Sequence, residues 1–447
     1  MSTTLAAPVH QSERIIILDS LRGFAILGIL LMNIPGYGLA YPAIGDFSMQ
    51  PQGQINYFFW YVFGPGVFEG SMRGIFSLLF GAGMYLFITR QEKKSTGLMP
   101  AELFLRRQLW LLLFGVFHAY VLFWFWDVLY HYAICGIIIF AFRRLQPKYL
   151  IMAASIFLLM GTIMDNKTLY QKKSAIKKGE LIAAIDTTTT KLSDRQKNQL
   201  AAMNEIKENS KAEVKRKKIK SEEEAMRGSL AEIYELRSAK AERSETLGMY
   251  YWAIWDVPLF MLLGLAFFKL GILQGQAKTK VYAWMTAIGL GVGLPLSYLF
   301  VTYDVNHQFN WYEIIKSKPL DFYQAQRLVH SIGIFGLIML LYKSGLFKWL
   351  FALMRPVGQM AFTNYIMQSV MCGIYFYGIG FGNFGKLEYH QLFYVVGTIW
   401  IIEIIWSHIW LRYFRFGPLE WAWRSLTYWK AQPFRKEKQN TTVETMG

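Results

Sequence analysis

The feature that most constrains this chain is an apolar run that recurs at membrane-spanning length. A helix needs about 20 mostly apolar residues to cross a hydrocarbon layer about 30 Å thick. Runs near that length occupy residues 15–34, 71–89, 108–126, 129–142, 149–164, 251–270, 281–301, 325–342, 357–377 and 392–411, the fourth and fifth being the shortest. Composition agrees: 54% of the 447 residues are hydrophobic and only 17% are charged, against roughly 25% charged in an average soluble protein. A disordered chain is excluded, and a soluble enzyme is argued against. The expected fold is all-α, a polytopic membrane protein of about ten transmembrane helices with the lipid bilayer as its first partner.

The formal charge of +17 would suggest nucleic acid as the partner of a soluble protein. Its placement points elsewhere. Arg14, Arg90, Lys93, Lys94, Arg106, Arg107, Arg143, Arg144, Lys148, Lys269, Lys278, Lys280, Lys343, Lys348, Arg355 and the basic residues after Leu411 all fall in alternate connections. The short connections on the other side carry only Lys316, Lys318 and Lys386. The positive-inside bias therefore places both termini in the cytoplasm, and no nucleic acid is expected. The first apolar run carries Asp19 and Arg22 and ends without a small-residue cleavage site, so it reads as a permanent span and not as a signal peptide. The two cysteines, Cys135 and Cys372, each lie inside an apolar segment, which provides neither a disulfide framework nor a Cys-rich metal site.

Residues 166–250 break the apolar pattern with dense charge. Leu200, Met203 and Ile206, then Met226, Leu230 and Ile233, recur at spacings of three and four with no proline between Pro147 and Pro258. The pattern predicts one or two long amphipathic helices in an extracytoplasmic insertion, standing out from the membrane or lying on it. The plain alternative is a solvated insertion with no chemistry of its own. The chain thus divides into a transmembrane bundle (1–165), the insertion (166–250), a second bundle closed by an interfacial helix (251–430) and a basic, polar cytoplasmic tail (431–447).

Ionisable and amide groups inside spans are costly unless paired, so each is a candidate for function. Asp19 and Arg22 lie three residues apart, close enough to neutralise each other. Asn33 follows nearly four helical turns later on about the same stripe, roughly 21 Å farther along. Arg73 opens the second span, where an unpaired cation needs a carboxylate, a lipid phosphate or an anionic substrate. His118, Asp127 and His131 surround the turn between the third and fourth spans. If that turn is helical, Asp127 would orient His131 as a general base. His118 is nine residues from Asp127, about 180° around one continuous helix, and could reach it only if the helix breaks. Trp124, Trp126, Tyr130 and Tyr132 read as an interface belt. Arg327, His330, Gln359, Thr363, Asn364, Gln368 and Glu403 complete the intramembrane polar set, with Arg327 or His330 a plausible partner for Glu403. The amides among them serve equally well as interhelical glue.

Five stretches in order carry a resemblance: "LDSLRGFAILGILLMNI", "FSLLFGAG", "GVFHAYVLFWFWDVLYHYAICG", "GQMAFTNYIMQS" and "FRFGPLEWAWRSLTY". Together they resemble the YeiB-like family of bacterial inner-membrane proteins, whose C-terminal half is a domain of unknown function. The first span is similar to those of heparan-glucosaminide N-acetyltransferases and, more distantly, of integral-membrane sugar O-acyltransferases. That resemblance implies passage of an acyl group from cytoplasmic acyl-CoA to an acceptor across the membrane, with no metal. Asp19 and Arg22, with Arg73, would serve the donor, and Asn33 would match an amide near the reaction centre. One departure matters. The glucosaminide enzymes carry a catalytic histidine in the loop after the first span, whereas residues 35–70 here contain Asp46 and Glu69 but no histidine. The base would then come from His118 or His131, with Asp127.

Three functions compete at this point. Acyl transfer uses a histidine base and the basic connection at Arg90–Arg107 as an attractor for the phosphates of acyl-CoA. A transporter or flippase for a small or lipid-linked solute would instead couple protons through Glu403, Arg327, His118 and His330. A scaffold would use the insertion to recruit an envelope partner. Homo-oligomerisation is left open by all three.

Overall fold

The computed structural model describes residues 15–185 and 191–436; Arg14 and most of the polar tail lie outside the described residues. No β-strand occurs among the described residues, and one isolated bridge pairs Phe414 with Arg435. The first helix, α1 (Ile16–Gly38), is the axis of the molecule. It is buried along almost its whole length and packs against helices from both halves of the chain. A short α2 (Tyr41–Ile44) and α3 (Gln54–Tyr61) lead to α4 (Ser71–Lys94). There follow α5 (Met99–Tyr120), α6 (Leu129–Ile139) and the long α7 (Pro147–Ala183). Pro100 and Pro147 open α5 and α7 at positions where the missing N–H is not needed.

The insertion is helical, but it forms three helices beyond the end of α7 where the spacing predicts one or two, and it does not stand apart. α7 runs unbroken from the membrane into it. α8 (Asp194–Ser210), α9 (Ala212–Met226) and α10 (Leu230–Arg243) then fold back over one end of the bundle. Ser193 with Gln196 and Ser229 with Glu232 form capping boxes that set where α8 and α10 begin. Lys215 reaches Asp46 at 2.6 Å in a buried pair, and Gly378 N–H donates to the Met226 carbonyl at 2.9 Å. Arg237 is fully buried; its guanidinium donates to the Gly36 carbonyl at 3.1 Å and lies over Phe125. These contacts make the insertion a cover over that end, not a solvated appendage.

The second half continues with α11 (Ile254–Lys269), α12 (Thr279–Asn306), the short α13 (Trp311–Ser317) and α14 (Tyr323–Ser344). It closes with α15 (Lys348–Gln359), α16 (Ala361–Phe376), α17 (Leu392–Tyr413) and α18 (Pro418–Tyr428). Among the described residues, seven helical stretches are long and apolar enough to cross a membrane: Ile16–Gly38, Gln54–Lys94, Pro147–Ala183, Leu230–Lys269, Thr279–Asn306, Tyr323–Ser344 and Tyr389–Tyr413. The other three expected spans take different forms. One is α5, which carries Glu102, Arg106 and Arg107 at its start; one is the short α6; one is the pair α15–α16, broken at Met360. Ile151, Met152, Ile156 and Leu159 on α7, and Trp284, Ile288, Val292 and Leu299 on α12, are exposed. In water such faces would be unstable, whereas against lipid tails they are matched. The fold is an all-α, polytopic membrane protein.

Close helix contacts are made by glycines. A Cβ on Gly358 of α15 would lie 1.8 Å from the Asp19 carbonyl of α1. One on Gly264 of α11 would lie 2.0 Å from the Leu78 carbonyl of α4. Small residues at such crossings let backbones approach where lipid supplies no hydrophobic drive.

Candidate active site

At the end of the bundle opposite the insertion, α1, α4, α5, α16 and α18 leave a cleft of about 280 Å³. Its mouth carries Asp19, Arg22, Arg90, Arg107, Gln359, Glu420 and Arg424. Asp19 pairs with Arg22 at 2.8 Å and accepts from the Gln359 amide at 3.3 Å. The Arg107 guanidinium stacks 3.5 Å from the Trp423 ring centroid, and the Trp423 indole N–H donates to the Arg107 carbonyl at 2.9 Å. Glu420 accepts the backbone N–H groups of Phe362 and Thr363 at 2.7 and 3.0 Å, capping α16 from outside. Burial pushes the Glu420 carboxyl above its ordinary range, partly opposed by the Thr363 hydroxyl. Deeper in, the walls are Phe76, Leu79, Phe80, Leu111 and Leu129, and Tyr132 and Tyr365 close the floor. A basic mouth leading to an apolar slot suits a ligand with an anionic head and an apolar tail.

The Tyr365 ring stands edge-on to the His118 imidazole, with centroids 4.9 Å apart. Behind it lies a chain of short hydrogen bonds. His118 Nδ1 is 2.7 Å from Asp127 Oδ1, and His118 Nε2 is 2.5 Å from Ser369 Oγ. Ser369 Oγ is in turn 2.5 Å from the Tyr37 hydroxyl. None of the four residues is more than 3% exposed.

The sequence places His118 and Asp127 on opposite sides of a continuous helix; a break removes the problem. α5 ends at Tyr120, and Leu122 and Trp124 N–H groups turn back to the Phe117 and His118 carbonyls at 3.3 and 3.2 Å. Phe123 adopts φ 59°, a left-handed conformation uncommon outside glycine. The chain then returns along α5 because Gly115 has no side chain: a Cβ there would lie 2.5 Å from Tyr130 N and 2.8 Å from Asp127 Oδ2. Asp127 is held a second time by the Tyr130 N–H at 2.8 Å.

The carboxylate of Asp127 therefore orients His118 and not His131, contrary to the expectation from a helical turn. His131 faces two carbonyls, Asp127 O at 2.8 Å and Ser244 O at 3.1 Å, and ties the turn to the insertion. Trp124 and Tyr132 form no exposed belt: both are fully buried, Trp124 stacked on Tyr37 with centroids 3.8 Å apart. Asn33 is half-buried on α1 and lies outside both the cleft lining and the hydrogen-bonded chain. Tyr37, one turn further on, is the α1 residue that meets the histidine cluster.

The remaining polar residues form separate centres. Arg327 pairs with Asp256, which Arg73 also approaches at 3.6 Å while lying over the Trp252 ring. Arg73 is thus apart from Asp19 and Arg22. Arg327 is not the partner of Glu403, nor is His330, whose Nδ1 is 3.5 Å from Ser297 Oγ. Glu403 is fully buried and accepts from Gln368 at 3.1 Å. Asn364 donates to Val357 O and Ser407 Oγ and accepts from the Trp406 indole at 2.7 Å, a satisfied interhelical clamp. Sequence reading missed Ser369, Tyr37, Asp256 and the joining of Arg107 with Arg424. Asp256 left a signal, an acid inside an apolar run. A serine or tyrosine inside a span leaves none. Among the described residues no group of three or more His, Cys, Asp or Glu side chains could hold a metal ion.

Residues 267–430 match the family described as protein of unknown function DUF418. Over 96% of the chain it is 29% identical to the uncharacterized protein YxaH of Bacillus subtilis, covering 98% of that protein. Over 94% of the chain it is 28% identical to the uncharacterized protein YeiB of Escherichia coli, again covering 98% of it. An uncharacterized 39.9 kDa protein from the amylase 3' region of Bacillus acidopullulyticus is 27% identical over 97% of the chain. No solved structure matches significantly.

Proposed function

We propose that this chain, which is similar over most of its length to YeiB of Escherichia coli, passes an acyl group from a cytoplasmic acyl-CoA to an extracytoplasmic sugar, lipid or envelope acceptor. The bacterial inner membrane is its site, with both termini in the cytoplasm. One observation carries the reading: an apolar cleft with an arginine-bearing mouth ends one aromatic ring away from a histidine held by a carboxylate. The arginines at the mouth suit the phosphates of the donor, because a guanidinium fork matches phosphate oxygens bidentately. The apolar walls suit an acyl chain. With Asp127 accepting the Nδ1 proton of His118, the Nε2 lone pair faces the Ser369 hydroxyl and can take a proton from an attacking hydroxyl.

The test is acyl-CoA turnover by the purified protein in detergent, followed as release of free CoA thiol. His118→Ala is expected to lower turnover by about 10²–10⁴-fold and Asp127→Asn by about 10-fold or more, as for loss of a general base or its tautomer. No turnover by the wild-type protein with any donor chain length sinks the reading. The buried Asp256 beside Arg327 and Arg73, and the buried Glu403, favour a second one, a proton-coupled transporter. It would be supported if Glu403→Gln abolished solute uptake into proteoliposomes.

A further inference from the structure

The hydroxyl of Ser369 is placed unlike several others in the spanning helices. Ser77, Ser155, Ser331 and Thr398 each donate to the carbonyl four residues earlier on their own helix, the usual resting place for such a side chain. At Ser369 the hydroxyl oxygen instead lies 2.5 Å from His118 Nε2 and 2.5 Å from the Tyr37 hydroxyl, contributed by two other helices. With Asp127 ionised and His118 neutral, the donors run in one direction. Asp127 can only accept, so His118 gives it the Nδ1 proton. Nε2 then accepts from Ser369, and Ser369 Oγ accepts from Tyr37.

We propose that Ser369 is the nucleophile of the acyl transfer and carries the acyl group as an ester between donor and acceptor. This rests on the acyl-transfer reading above and adds a covalent step to it. In the first half-reaction Ser369 Oγ attacks the thioester carbonyl while its proton passes to His118 Nε2. The C–S bond breaks, and the leaving thiolate takes that proton to depart as free CoA thiol. In the second half-reaction the acceptor hydroxyl gives its proton to His118 and attacks the ester carbonyl. The bond between the acyl carbonyl carbon and Ser369 Oγ breaks, and Oγ recovers the proton. Asp127 stays ionised throughout and steadies the imidazolium of each half-reaction.

Geometry supplies the reason for two steps. Ser369 lies one turn beyond Tyr365 along α16, about 6 Å farther from the cleft. It abuts Tyr37 near the insertion end of α1. An acyl ester at Ser369 therefore stands between the donor slot and the opposite end, and the two substrates need never share one chamber. Tyr365 is the partition that must turn aside for the thioester to reach Oγ.

The experiment uses the full chain in detergent with radiolabelled acetyl-CoA, octanoyl-CoA and palmitoyl-CoA, acid-quenched on the millisecond-to-second scale, with the labelled peptide identified by mass spectrometry. The expected result is an ester on Ser369 that survives neutral hydroxylamine and persists in Cys372→Ala. Ser369→Ala should lose label and turnover by about 100-fold or more, with an unchanged size-exclusion profile. Ser369→Cys should form a thioester that hydroxylamine cleaves, which shows nucleophilic replacement even if the alanine variant folds poorly. Wild-type turnover with no ester at any quench time, or label found on Cys372, overturns the covalent step while leaving acyl transfer standing. Absence of turnover with all three donors removes both.

Discussion

At Gly115 the missing side chain decides whether the histidine has a carboxylate. The returning turn passes so close that a Cβ would overlap the Tyr130 backbone and crowd Asp127. Gly115→Ala is therefore expected to push the turn away from α5, with an overpacking penalty of about 1–3 kcal/mol. Acyl-CoA turnover should fall as far as in Asp127→Asn. Wild-type turnover in a folded Gly115→Ala protein would show that Asp127 does not depend on this contact. Much of the candidate site was visible at this scale as residues: His118, Asp127, Asp19 and Arg22 are conspicuous as ionisable groups in apolar surroundings. Which of them meet was not, because the His118 to Asp127 contact needs a helix end and a left-handed Phe123 that no periodicity announces.

At the scale of elements, α16 is the helix on which the site depends. It brings Tyr365 to the cleft floor, Ser369 to His118 and Gln368 to Glu403. Its first turn follows the break at Met360 and has no cap from its own sequence; Glu420 of α18 supplies one. A carboxylate at a helix N-terminus satisfies orphan N–H groups and complements the helix dipole. Glu420→Ala is expected to lower thermal stability in detergent by about 0.5–2 kcal/mol, the range for loss of an N-cap. A melting curve that overlays the wild type would show that the first turn of α16 holds without it. α18 was legible in the sequence as a helix that closes the second bundle. Its role as a cap was not, because the capped residues lie far back in the chain.

At the scale of the whole molecule, the two ends are finished differently. One opens through the basic cleft, and the other is covered by the insertion, held by Arg237, Lys215 and the Met226 carbonyl. Replacing Arg237 with Met keeps apolar bulk but removes the hydrogen bond to Gly36 and the cation over Phe125. The expected loss is about 1–3 kcal/mol of local stability, read as faster hydrogen exchange across residues 212–243. Unchanged exchange there would show that the cover is held by its other contacts.

Taken by itself, the sequence determined that this chain lives in a bilayer, where its apolar helices run, that its charge gathers at alternate connections, and which polar groups must be accounted for inside the spans. Those properties are local: hydropathy and the 3.6-residue period belong to one segment at a time. Tertiary structure alone decided that Asp127 turns to His118, that Ser369 and Tyr37 join them, that Arg327 answers Asp256 and not Glu403, and that the charged insertion folds down as a cover. Each of those is a contact between segments, set by where helices end and how closely glycines let them cross, and a helical period names a face without naming what the face will meet.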